Sequence, residues 1–192
     1  MADRRPSYRA NHTGELFDEL LVVMIQRGDR RALDRLHHRW NTRLLRAARR
    51  YCGDIDAAAD LVQDSWIGIW KGLPNLRNPA RFRSYAFSVL HRRGADHLRT
   101  IIKERAAIQD HDGDIDAADA APLSPPAQSE SAAIAQAFAK LPPDQRLAAH
   151  LHYVEGVTLK EIAMIQSIPE GTAKSRLFHA RRALKAALTD NF

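Results

Sequence analysis

The stretch VTLKEIAMIQSIPEGTAKSRLFHARRALKAAL, from Val157 to Leu188, decides how this chain is read. Thr158 stands three residues before Glu161, the spacing at which a hydroxyl and a carboxylate cap each other's orphan backbone groups at a helix start. Leu159, Ile162 and Ala163 then recur at helical spacing. Ser167-Ile168-Pro169-Glu170-Gly171 breaks that helix, because proline cannot continue it. A longer helix follows from Thr172 to Leu188, with Ala173, Leu177, Ala180 and Leu184 as its apolar stripe, extended by Leu188. Its other faces carry Lys174, Ser175, Arg176, His179, Arg181, Arg182 and Lys185. Short helix, tight turn, long basic helix is the helix-turn-helix pattern, whose second helix enters the major groove. Lys and Arg reach guanine edges or phosphates there, and Ser175 can bond either. Gly171-Thr172 offers backbone N–H groups to a phosphate.

Upstream, Ala133, Ala137 and Leu141 predict one helix. Pro142-Pro143-Asp144 marks a break with proline at the next helix start. Leu147, Leu151 and Val154 predict that helix, and Glu155-Gly156 turns the chain. Before it lies IQDHDGDIDAADAAPLSPPAQSES, Ile108 to Ser131, with five aspartates, three prolines and no aromatic residue. Such a stretch cannot bury enough apolar area to offset its ordering entropy. It predicts a flexible acidic linker over 108–130, between an N-terminal domain at 10–107 and a C-terminal one at 131–190. The aspartates fail the EF-hand test: counting from Asp110, position six is Ile115 and position twelve is Ala121. No metal is expected.

The N-terminal part also reads as helical. Leu16, Leu20, Val23 and Met24 fall on one face of a first helix, which Gly28-Asp29 ends. Ala32, Leu33, Leu36, Trp40, Leu44, Leu45 and Ala48 keep helical spacing through a second, stopped by Gly53. Asp54 or Asp56 is placed to cap the third, which carries Ala58, Leu61, Val62, Ile69 and Trp70. A loop with two prolines precedes a fourth helix from about Arg81 to Arg105. No segment alternates with period two, so the fold class is all-α, in two small domains.

The whole chain has 192 residues and a net charge of +6. Divided, residues 1–103 hold 20 basic and 11 acidic side chains, 104–130 hold one and seven, and 131–192 hold eight and five. Two basic blocks flank an acidic one, a distribution that suits a polyanion partner. One cysteine, Cys52, excludes an internal disulfide framework. No apolar run reaches the roughly 18–20 residues of a membrane span, and the N-terminus lacks a signal-peptide core. A cytoplasmic protein without membrane insertion is expected. The nine histidines are scattered without HExxH spacing, and no Gly-rich phosphate loop appears. Neither an enzyme nor a cofactor-binding protein is expected.

Val157–Leu188 resembles the fourth conserved region of bacterial extracytoplasmic-function (ECF) sigma factors, and PEGTAKSRLFHARRAL its recognition-helix signature. DAAADLVQDSWIGIWKGL, within the third helix, resembles the family's second region, and FRSYAFSVLHRRGADHLR the helix that follows. The resemblance spans about residues 15–105 and 130–188. It implies reversible binding to core RNA polymerase, direction of it to promoter DNA, and control by an anti-sigma factor. In the family, the stretch matching Asp60, Gln63, Asp64, Trp66 and Trp70 docks on polymerase. Of the two tryptophans, Trp70 is expected to be mostly core and Trp66 divided between core and docking. Arg77, Phe82, Arg83, Tyr85, Arg92, Arg93 and Arg99 are expected around the unpaired strand of the −10 element, where aromatic faces and cations hold single strands. Phe87 supplies another ring, with simple burial in the core as the strong alternative. By the same matching, Thr172, Lys174, Ser175, Phe178 and His179 face the −35 element, with Arg176 and Arg182 on phosphates. The chain departs from the pattern at Tyr85-Ala86, where the family often has Trp-Leu, at His91-Arg92, where it has Arg-Asn, and at His179, where it has arginine. The alternative is a sigma-like mimic that sequesters an anti-sigma factor without binding DNA; the intact basic positions of the last helix weigh against it.

Overall fold

The computed structural model describes residues 7–52, 54–109 and 136–189. Among these residues every regular element is helical. Four long helices come first: α1 (Ser7–Gln26), α2 (Arg30–Ala48), α3 (Ile55–Gly72) and α4 (Phe82–Gln109). Two 3₁₀ turns, Leu73–Asn75 and Pro79–Arg81, join α3 to α4. A short helical segment, α5, is described over 136–139. Then come α6 (Pro143–Tyr153), α7 (Leu159–Gln166) and α8 (Glu170–Thr189). The linker expected at 108–130 begins on the last two residues of α4; positions 110–130 lie outside the described residues, as does Ala133.

Local chemistry sets the helix ends. Gly28 adopts φ +94°, a left-handed conformation that glycine tolerates without strain, and ends α1. Asp29 then accepts from the Arg31 and Ala32 N–H groups to start α2. Asp54, not Asp56, caps α3 through the Ala57 N–H. Pro143 opens α6, where its missing N–H costs nothing. Thr158 and Glu161 form the full capping box of α7, and Ser167 ends it at φ 53°.

Trp40 sits at the centre of the N-terminal bundle, edge-on to Phe82 at 5.0 Å and to Phe87 at 5.6 Å. Leu21, Leu36, Leu44, Ile69, Leu73 and Leu90 close around it, fully buried. Each such side chain contributes about 1.5–3 kcal/mol of burial. Leu147, Leu151, Ile162 and Ala173 of the C-terminal half belong to the same continuous buried cluster. The halves also touch: α7 lies against α4, and α6 against α2.

Three expected aliphatic core positions turn outward. On α1, Leu16 and Leu20 are exposed, and the buried face instead carries Asp18, Leu21 and Val22. Asp18 tolerates burial because Arg39 Nε lies 2.6 Å from its carboxylate. A carboxylate in the buried stripe disguised its period. Val154 is likewise exposed, because α6 ends at Tyr153 and the chain turns away there. Cys52 is buried, and burial followed by the charge of Asp54 pushes its thiol up to about 11. Such a thiol is inert at neutral pH.

Candidate nucleic-acid and protein interfaces

The first surface lies between α2 and α3. His37, Asn41 and Leu45 recur every four residues on α2, and Val62, Trp66 and Trp70 do so on α3. Together they line an apolar groove of about 510 Å³. The His37 ring stands 4.7 Å from Trp66 and 5.9 Å from Trp70. Trp66 is 2% exposed and donates its indole N–H to Asn41 Oδ1 at 3.1 Å. Trp70 is 41% exposed. The expectation for these two rings is therefore reversed: Trp66 is core, and Trp70 is the accessible ring at the groove edge. Asp60, Gln63 and Asp64 are exposed on the same helix, with Ile67 one turn beyond. An acidic rim beside exposed aromatic and aliphatic groups is the composition of a protein hot spot. His37 and Asn41 were not among the residues singled out in the sequence. Their spacing of four, matching that of the α3 residues, is the signal that finds them.

The second surface is the start and outer face of α4. Arg77, in the loop before it, and Arg92 and Arg93 are exposed. Arg99 is exposed and pairs with Asp96 one turn earlier. Phe82 is 1% exposed and packs on Trp40, so it belongs to the core and offers no face to a base. Phe87 is buried in the same cluster. Tyr85 is half-buried, and its hydroxyl donates to the Gly68 and Ile69 carbonyls at 3.2 and 3.4 Å. It ties α4 to α3. Arg83 is held between Glu15, at 2.6 Å, and Glu161, at 3.2 Å. The Tyr51 hydroxyl bonds His91 Nδ1, and burial lowers the His91 pKa.

The third surface is the outer face of α8. Thr172, Lys174, Ser175, Phe178, His179 and Arg182 are exposed, opposite buried Ala173, Leu177 and Ala180. Phe178, at 52% exposure, is an apolar side chain amid cations. Two expectations change. Arg176 turns inward: Nη2 meets Asp144 Oδ2 at 2.8 Å and Nη1 donates to Gln166 Oε1 at 2.9 Å. It staples α8 to α6 and α7 instead of meeting phosphates. The Thr172 N–H is also engaged, donating to the Pro169 carbonyl at 3.0 Å.

At the meeting of α2 and α6, His150 is 1% exposed, and neither ring nitrogen has a hydrogen-bond partner among the described residues. Burial, and then Arg50, Arg46 and Arg43, lower its pKa to about 4. It is a neutral imidazole beside three arginines, with the buried Glu155 carboxylate 3.7 Å from its Nε2.

Comparison with known proteins bears on the chain as a whole. Residues 36–101 match the family model for Sigma-70 region 2, and residues 131–184 that for Sigma-70, region 4. The RNA polymerase sigma-H factor of Pseudomonas aeruginosa is 30% identical over 183 residues, covering 89% of this chain and 93% of its own. The ECF RNA polymerase sigma-E factor of Escherichia coli K12 is 26% identical over 184 residues, covering 88% and 93%. The fold resembles that of the sigma factor RpoE in complex with the anti-sigma factor NepR from Bartonella quintana, with TM-score 0.65, 24% identity, and 82% and 96% of the two chains covered. It also resembles CnrH in complex with the cytosolic domain of CnrY, with TM-score 0.63, 22% identity, and 92% and 99% covered.

Proposed function

Since this chain belongs to the sigma-70 family, among its ECF sigma factors, we propose that it binds core RNA polymerase and directs initiation at promoters read by its two halves. As a sigma factor it is an initiation factor and not an enzyme. The domains we assign are 10–107 for polymerase and −10 binding and 131–190 for −35 binding, with 108–130 as the acidic tether. The observation that carries the reading is the coexistence, on one chain, of an apolar groove with an acidic rim and a separate basic helix face.

The groove suits docking. Trp70 and Ile67 bring apolar area, and Asp60, Gln63 and Asp64 bring charge and hydrogen bonding for a basic partner surface. The face of α8 suits a major groove. Lys174 and Ser175 reach base edges, Phe178 meets a thymine methyl or a sugar, and His179 and Arg182 complete the contact. Arg77, Arg92, Arg93 and Arg99 hold the single strand near −10. No helix among the described residues is long and apolar enough to cross a membrane; the place of work we infer is the cytoplasm, where the polymerase is. An anti-sigma factor is the proposed regulator, by analogy with RpoE and its partner NepR.

The test is to separate the two activities. Lys174→Ala is expected to leave co-elution with core polymerase intact and to weaken binding to a −35-containing duplex about tenfold, one good contact's worth. Equal loss of both would contradict the assignment of α8.

A further inference from the structure

A cavity of about 290 Å³ opens between α1, α2 and the end of α6. Its two sides are charged differently. Toward α1 and α4 every cation has an acid: Arg39 lies 2.6 Å from Asp18, and Arg83 lies 2.6 Å from Glu15 and 3.2 Å from Glu161. Toward α6, Arg43 and Arg46 line the cavity beside Val154 and Glu155. Arg43 donates through Nε to Glu155 at 2.9 Å. Arg46 is exposed and makes no hydrogen bond or ion pair among the described residues.

The imbalance deepens beyond Arg46. Arg49 and Arg50 follow within about one helical turn, and Arg146 of α6 comes close enough to Arg50 to repel its charge. None of these four has a carboxylate partner among the described residues. Arg49, Arg50 and Arg146 each bury their Nε without a hydrogen-bond partner there. The contacts that Arg146 and Arg50 do make are uncharged. Arg146 Nη2 donates to the Ala139 and Leu141 carbonyls at 2.5 and 2.9 Å, and the Arg50 guanidinium lies over the Phe138 ring at 5.2 Å. Neighbouring groups register the field. Burial, then Arg146 and Arg49, lower the Arg50 pKa. Burial, then Arg50, Arg46 and Arg43, keep the His150 imidazole neutral down to about 4.

The dipole of α2 favours cations at its last turn, which accounts for Arg46, Arg49 and Arg50. It does not account for Arg146, which the packing of α6 on α2 brings against them. Like charges drawn together away from water repel more strongly than at an open surface, a cost that a bound anion relieves. Guanidinium groups keep their charge at any ordinary pH, and their planar forks match the oxygens of a phosphate. Only Arg46 of the four is exposed; the others are half-buried. That suits a compact anion entering past Arg46, whereas an extended strand needs a row of exposed cations such as α8 carries. We propose that α2 and α6 form a binding site for a compact multivalent phosphate, a pyrophosphate or nucleoside polyphosphate group, held by Arg46, Arg49, Arg50 and Arg146 beside this cavity. Glu155, already paired with Arg43, bounds the site and turns the anion toward Arg46. The site is complete only while α6 is packed on α2, it is separate from the DNA-facing side of α8, and it does not depend on the sigma-factor reading.

The experiment titrates inorganic pyrophosphate into the full chain by calorimetry and then follows thermal unfolding, with sodium chloride of equal ionic strength as the screening control. Wild type is expected to bind about one equivalent with Kd below about 1 mM. Its thermal midpoint should rise above the chloride control, because a ligand held only by the folded chain stabilises it. Arg46→Gln removes an exposed cation without a partner, so the fold is kept, and it should weaken binding about tenfold, the worth of one charge-assisted hydrogen bond. Lys174→Gln with Arg182→Gln removes two cations of α8 and should leave pyrophosphate binding as in wild type. The proposal is overturned if pyrophosphate raises the midpoint no more than chloride does, if Arg46→Gln binds as wild type does, or if the α8 variant is the one that loses binding. It is also overturned if wild type binds no pyrophosphate and binding appears only when Asp110, Asp112, Asp114, Asp116 and Asp119 are changed to Asn, since the chain's own carboxylates would then be the anion.

Discussion

Trp66 and Trp70 lie four residues apart on one helix and serve different ends. Trp66 fills the wall of the groove and anchors Asn41; Trp70 stands at its rim. We expect Trp70→Ala to keep the thermal midpoint close to wild type while weakening co-elution with core polymerase at least tenfold, as at a hot spot. Trp66→Ala should cost about 3–5 kcal/mol by denaturant unfolding. Equal effects of the two on stability would contradict the assignment. Spacing alone could not tell these rings apart, since both sit on the apolar stripe and only the crossing of α2 decides which is covered. Arg176 was misleading for a similar reason: its place among cations reads as DNA contact until Asp144 and Gln166 are seen to face it. His150 makes a second residue-scale prediction. Its pKa is lowered from 6.5 to about 4, so the unfolded chain binds a proton that the folded chain refuses between these values. Stability is full above pH 6.5 and falls by about 3 kcal/mol toward pH 4. Urea unfolding of wild type across that range should show the loss, and His150→Leu should flatten it; an unchanged slope would remove His150 as its source.

At the scale of elements, the helix starts were the most legible part of the sequence. Thr158 with Glu161, Asp54 and Pro143 are chemical signals that act through their own backbone neighbours, so tertiary context does not override them. The face of α1 was not legible, because its buried side includes Asp18, whose partner Arg39 is 21 residues away. The closeness of α4 to the end of α2 was equally hidden. It depends on Gly94, where an added Cβ would lie 2.7 Å from the Tyr51 ring. Gly94→Ala gains helix propensity of about 0.5–1 kcal/mol, but overpacking of this kind costs about 1–3 kcal/mol. We expect a net loss of stability by thermal unfolding. A gain would show that Tyr51 moves aside freely.

At the scale of the molecule, the charge pattern foretold two basic halves but not their contact. A count of +9 and +3 suggests halves that repel. The halves instead join in one buried apolar cluster, edged by acids matched to arginines, Glu155 to Arg43 and Glu161 to Arg83. Pairings across more than 75 residues of chain leave no local trace in a sequence. The helix-turn-helix of α7 and α8 and the apolar groove of α3 are nonetheless carried by short motifs, and their order along the chain was readable. The central claim is that this chain directs a polymerase to promoters. Run-off transcription on fragments of the source genome, with core polymerase alone and with core plus this protein, tests it most directly. The account predicts new transcripts only with the protein present, starting downstream of a shared pair of sequence elements. No transcript above core alone, with a tight complex to a second small protein, would contradict it and identify the chain as a sigma-like mimic.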